Sequence, residues 1–271
     1  EKLALGTLPG VASKTQVIFA THSPLFISMD KFDELRIVRR VKENEDRSKE
    51  THTSSGTLQD AANMLGDASE QPEGTFSGNI LRPKMHIIDA IVAEGFFSKV
   101  SVIVEGPSDR AAIIAAAAVD NIDLEELEIS IIPVQGKSKI DKVASAFRCL
   151  DIPTYAIWDN DRGMKDDARY NSVLQRLFGE QQDQIDPVVT RVNNTYACFE
   201  DKIETTLKQE IGGELIDELL DTFKEQFEIS GRNDAMKTPE IMKLVLNEAN
   251  KRGHKSATLE NIVNAIVNMA A

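Results

Sequence analysis

Between residues 98 and 192 the apolar positions follow two alternating rhythms. Val100–Val104, Glu128–Val134 and Tyr155–Trp158 contain short apolar runs rich in β-branched and aromatic residues, the pattern of strands covered on both faces. Arg110–Val119 and Ile140–Leu150 instead repeat apolar positions every three or four residues, the second at Ile140, Val143, Ala144, Phe147 and Leu150. That spacing predicts helices. Asn171–Phe178 reads as a helix inside the polar stretch Arg162–Gln184, and Asp186–Val192 as a final strand. The alternation predicts an α/β fold, a mostly parallel sheet flanked by helices.

The flanks read differently. Val17–Ala20 and Leu35–Val41 are predicted strands joined through a turn at Asp30–Glu34. Glu43–Asn79 is dense in Glu, Asp, Ser, Thr and Gly, which predicts a loop or linker with one short helix at Leu58–Leu65. Ile80–Phe96 resumes a helix-like spacing. Beyond Tyr196, helices are predicted at Phe199–Ile211, Glu214–Phe227, Thr238–Lys251 and Ala257–Met269. They are separated by Gly212-Gly213, Ser230-Gly231 and Arg252-Gly253, with Pro239 in a first turn. The boundaries are 1–90, 91–195 and 196–271, the last a small helical domain packed beside the sheet.

Size and charge narrow the picture. The 271 residues suffice for about two domains. A formal charge of −13 argues against a simple basic nucleic-acid binder. Two local basic patches, Lys137-Ser138-Lys139 with Lys142 and Lys251-Arg252 with Lys255, are either docking points or solvated surface. The longest apolar run, Ala111–Val119, is too short to cross a bilayer, and no cleavable signal pattern opens the chain. Cys149 and Cys198 have neither metal-ligand spacing nor the look of a disulfide framework, so the expected setting is a reducing cytoplasm.

Two short stretches carry the candidate chemistry: Val104-Glu105-Gly106-Pro107-Ser108-Asp109 and Ile157-Trp158-Asp159-Asn160-Asp161. Each ends a predicted strand in carboxylates, where open α/β sheets place their ligands. Asp159 and Asp161, two apart, can face one ion, and Glu105 and Asp109 join them if the strands are neighbours. Four crowded carboxylates repel and take up protons unless a divalent cation lies among them. The competing reading is local: an Asp pair suits a turn, and Ser108 and Asp109 suit a helix entry. Asp109 stands open between ligand and cap.

Glu105-Gly106-x-x-Asp109 followed by Asp159-x-Asp161 resembles the Toprim domain of type IA and type II topoisomerases, bacterial primases and several nucleases. Ile131-Ile132-Pro133-Val134-Gln135-Gly136-Lys137 resembles the strand-plus-glycine segment between those motifs. Gln16-Val17-Ile18-Phe19-Ala20-Thr21-His22-Ser23-Pro24 resembles the switch-histidine strand of ABC-type ATPases. Together they resemble the layout of the OLD (overcoming lysogenization defect) family nucleases.

That resemblance implies an ABC-like ATPase remnant and linker over 1–90, a Toprim catalytic domain over 91–195 and a helical domain over 196–271. It implies metal ligation by Glu105, Asp109, Asp159, Asp161 and Glu200, with Glu204 behind Glu200. It also implies catalytic roles for Glu105, Asp159 and Lys255, with Lys251 the alternative lysine. Two divalent cations, Mg²⁺ or Mn²⁺, would cleave or nick duplex DNA. His22 would sense ATP only in a longer protein, because no Gly-rich phosphate loop precedes it, and the ATPase part would form a dimer. Rival readings are a catalytically silent Toprim module that binds DNA or assembles repair factors, and a primase-like nucleotidyl transferase. No tyrosine stands in a recognisable winged-helix context to serve as a topoisomerase nucleophile.

Overall fold

The computed structural model describes residues 18–41, 50–72 and 74–271. The chain first makes an antiparallel pair, β1 (Ile37–Val41) and β2 (Glu50–Ser54), and then helix α1 (Leu58–Ala68). α1 is capped reciprocally: Thr57 N–H donates to Asp60 Oδ2 at 2.8 Å and Asp60 N–H donates to Thr57 Oγ1 at 3.1 Å. Such a box satisfies two otherwise orphaned donors at a helix start. A one-turn helix α2 (Gly78–Leu81) and 3₁₀ segments at Arg82–Ile87 and Val92–Phe97 lead into the main sheet.

That sheet comprises β3 (Val100–Val104), β4 (Ile129–Pro133), β5 (Thr154–Asp159), β6 (Arg191–Val192) and β7 (Tyr196–Phe199), in the order β4-β3-β5-β7-β6. The first four run parallel and β6 closes one edge antiparallel. Helices α3 (Pro107–Val119), α4 (Ile140–Arg148) and α5 (Lys165–Leu177) follow β3, β4 and β5. The tail adds α6 (Ile203–Leu207), a π turn at Lys208–Gly212, α7 (Gly213–Gln226), α8 (Arg232–Met236), α9 (Pro239–Lys251) and α10 (Ala257–Ala270).

Strand residues alternate between two cores. Val100, Val102, Val104, Tyr155, Ile157, Ala197 and Phe199 face α3 and the tail helices. Ile103, Ala156, Trp158, Tyr196 and Cys198 face α1, α4 and α5. The Trp158 and Tyr196 rings stack there with centroids 4.8 Å apart. Both faces are dry, which explains why the strands read as continuous apolar runs. The tail helices therefore share their core with one face of the sheet, and α9 makes its broadest contact on the alanine-rich α3. Among the described residues no helix is long and apolar enough to cross a membrane.

Several expectations are corrected. Among the described residues Ile18–Ala20 form no strand, and Ile18 is 86% exposed; Val17 lies outside the described residues, as does Gln16. The described part of the 43–79 segment contains the helix expected at Leu58–Leu65, extended to Ala68, but holds more ordered structure than a linker. It supplies β2, α1 and α2; Ser54 Oγ donates to Leu150 O at 2.7 Å, and Leu58, Ala61, Ala62 and Leu65 are buried. Ile80–Phe96 breaks into short turns, with Pro83 starting one of them. Of Asp186–Val192 only the last two residues are strand. β7 and α8 were not predicted, and Phe199 ends a strand rather than starting a helix.

Candidate functional site

The parallel register brings the acidic motifs together. Val104 pairs with Ile157, and Asp159 with Phe199, so Glu105, Asp159 and Glu200 leave the same edge of three adjacent strands. Asp159 N–H donates to Glu105 Oε2 at 3.4 Å, and Ile203 N–H at the start of α6 donates to Asp159 Oδ1 at 3.2 Å. Asp109 is buried in the first turn of α3, where its Oδ2 accepts the Gly106 N–H at 2.7 Å. Cap and proximity to the other acids are thus both realised at Asp109.

Crowding out of water sets the electrostatics. Burial, then the charges of Asp109, Glu105, Glu204 and Asp161, push the Asp159 carboxyl up to about 9. Burial, reinforced by Glu105 and Glu204 against the Gly106 N–H bond, lifts Asp109 to about 7. Glu105 is raised by burial, with the Lys137 ammonium opposing. These are the shifts expected when low-dielectric surroundings hold several like charges with too little compensation.

Lys137, expected in a surface patch, is only 7% exposed. Its Nζ donates to Asp161 Oδ2 at 2.6 Å and to Asp159 O at 2.7 Å, and lies 3.2 Å from Asp167 Oδ1. The loop before it enters through two positive-φ residues, Gln135 (59°) and Gly136 (127°). The Gly136 N–H donates to Glu105 O at 2.9 Å, tying the lysine loop to the end of β3. In sequence Lys137 belongs to a patch with Lys139 and Lys142 that reads as a docking point or solvated surface; only the fold reveals a buried ammonium.

The Asp159-x-Asp161 turn is shaped by its middle residue. Asn160 is fully buried: its Oδ1 accepts Trp158 Nε1–H at 3.0 Å and its Nδ2 donates to Val189 O at 2.8 Å. Its carbonyl accepts Asn171 Nδ2–H at 3.0 Å. The next two residues are left-handed, Asp161 at φ 49° and Arg162 at φ 53°. Such a conformation costs about 1–2 kcal/mol per non-glycine residue. It is offset by Asn160 N–H to Phe199 O (2.8 Å), Arg162 N–H to Glu200 O (2.8 Å) and the Lys137–Asp161 ion pair.

Not every predicted residue joins. The Glu200 side chain is exposed, its N–H held by Thr190 Oγ1 at 2.8 Å; Glu204, one turn into α6, is the acid whose charge reaches Asp109 and Asp159. Lys255 lies apart from these acids. It lines a small depression with Val119 and Asp120 at the far end of α3, whereas Asp109 sits in the first turn, about 15 Å away at the helical rise. The physical reason is the docking of α10 along α3, which carries the preceding loop away from the strand ends. Lys251 pairs with Glu248 at 3.4 Å on the surface. His22 is exposed, with its ring centroid 6.3 Å from that of Phe97. Lys137, Asn160 and Glu204 form the support that sequence reading underweighted.

Among the described residues no three His, Cys, Asp or Glu side chains stand as a ready ligand set. The donor chemistry nonetheless fits a hard divalent cation: oxygen ligands only, buried, with negative charge in excess of the single ammonium.

Residues 96–161 match the family model described as "Overcoming lysogenization defect protein-like, TOPRIM domain", so this part of the chain is an OLD-like Toprim domain. An OLD nuclease of Thermus scotoductus (strain ATCC 700910 / SA-01) is 28% identical over 147 residues; the match covers 54% of this chain and 25% of that protein. The C-terminal region of the Burkholderia pseudomallei OLD protein superposes with a TM-score of 0.45 at 18% identity, over 65% of this chain and 100% of that one. The C-terminal region of the Xanthomonas campestris pv. campestris OLD protein gives 0.42 at 21% identity, over 65% and 95%.

Proposed function

We infer that this chain, whose residues 96–161 form an OLD-like Toprim domain, is the nuclease portion of a longer protein and hydrolyses DNA phosphodiester bonds with divalent cations, Mg²⁺ or Mn²⁺. The observation that supports this most is the convergence of Glu105, Asp109 and Asp159 at one sheet edge, each raised by burial and by its neighbours. Glu105, Asp159 and Asp161 would hold one ion or share two, with Asp109 and Glu204 completing the second. Bound there, such ions lower the pKa of attacking water and neutralise the departing oxyanion.

The chain's own residues have separate tasks. Asp159 and Asp109 hold protons near neutral pH that ligation would release. Glu105 is a ligand or the proton acceptor, Asn160 fixes the aspartate turn, and the buried wall of β3 and β5 keeps water out. In the longer protein, an ATP-hydrolysing part that includes His22 would govern cutting and pair two copies.

The test is nicking of supercoiled plasmid DNA by the purified chain with Mg²⁺ or Mn²⁺, repeated with Asp159→Ala. Nicking abolished in the variant supports the nuclease. DNA binding with no cleavage would support a silent module instead, and incorporation of labelled nucleotides a polymerase.

A further inference from the structure

We propose that the Lys137 ammonium is a built-in cation that occupies Asp161 until a divalent ion arrives, so that the Lys137–Asp161 ion pair and metal ligation by Asp161 exclude one another. This rests on the nuclease reading and adds a positioning residue to it. Three observations carry it.

First, the ammonium makes ion-like contacts. A single buried Nζ meets Asp161 Oδ2, Asp159 O and Asp167 Oδ1 within 3.2 Å, the first two as hydrogen bonds and the third as an ion pair. Two carboxylates and a carbonyl oxygen around one cation are also a hard-metal donor set. Second, the acids that face Lys137 are otherwise held by N–H groups: Asp159 by Ile203 and Glu105 by Asp159. Asp161 has the ammonium as its strong partner, at 2.6 Å, and the acids form no ready ligand set among the described residues. Third, Asp161 and Arg162 are held in consecutive left-handed conformations. A cation already present keeps that turn formed before any metal binds. The ammonium positions Asp161, and an incoming ion must displace it.

Mn²⁺ titration of the whole metal-free chain by calorimetry, with Lys137→Met and Lys137→Arg, tests this without any cleavage assay. Lys137→Met should bind Mn²⁺ at least tenfold more tightly, because the internal competitor is gone. Its metal-free form should melt below wild type and gain more from saturating Mn²⁺. Lys137→Arg, which keeps the charge, should stay within threefold of wild type. Should Lys137→Met fold only in the presence of Mn²⁺, the ion replaces the ammonium and the proposal stands. Equal or weaker Mn²⁺ affinity in a folded Lys137→Met, or failure to fold with and without Mn²⁺, overturns it. Wild-type protein that binds no Mn²⁺ would instead sink the metal-dependent nuclease reading beneath it.

Discussion

Asp159 offers its backbone N–H to Glu105 across the β3–β5 boundary, 3.4 Å from Oε2, although 54 residues separate the two in sequence. The contact couples the first acidic motif to the second through a peptide rather than through a shared ion. It also fixes how closely the two carboxyl groups are held, and hence how strongly each resists ionising.

That resistance makes stability depend on pH. Asp159 titrates at about 9 in the fold, against about 3.9 when unfolded. Its proton therefore stabilises the native state fully below pH 4, and that contribution is lost as pH climbs through 9. Between pH 6 and 8 in EDTA the metal-free chain should lose about 3 kcal/mol that Asp159→Asn does not lose. Urea unfolding of both proteins at the two pH values decides the matter; identical slopes would refute the account.

Asn160→Ala should destabilise the chain by about 2–4 kcal/mol, because it strands the Trp158 indole N–H and the Val189 carbonyl in a dry interior. Nicking should fall with it, as the aspartate turn loses its anchor. Denaturant titration showing a loss below 1 kcal/mol would mean water replaces the amide.

Glu204 and Glu200 separate by charge coupling. Glu204→Gln should weaken Mn²⁺ binding roughly tenfold, since its charge reaches both Asp109 and Asp159. Glu200→Gln, with its side chain exposed, should change it less than twofold. Lys255→Ala should leave nicking within about threefold, its place being at the other end of α3. A hundredfold loss there would require the tail to move onto the strand ends.

The central sheet was legible because Val100–Val104 and Tyr155–Trp158 are buried on both sides and need apolar side chains throughout. The four motif acids were legible because each terminates such a run or opens the helix after it. What escaped notice did so for physical reasons. β7 is four residues, two of them Ala and Cys, too short for alternation to register. Lys137 is a charge kept indoors by partners that lie 22 to 30 positions further along the chain. No local pattern can announce that.

One consequence follows from the alanines of α3. Ala111, Ala112, Ala115 and Ala116 let this rod lie close against its neighbours, while Asp109 rides at its tip. A single bulkier residue near the rear would act as a wedge under a lever, tilting the whole cylinder and swinging that tip out of alignment. Misaligned chemistry would thus originate about 10 Å along the helix from Asp109, in a residue with no polar side-chain atom at all.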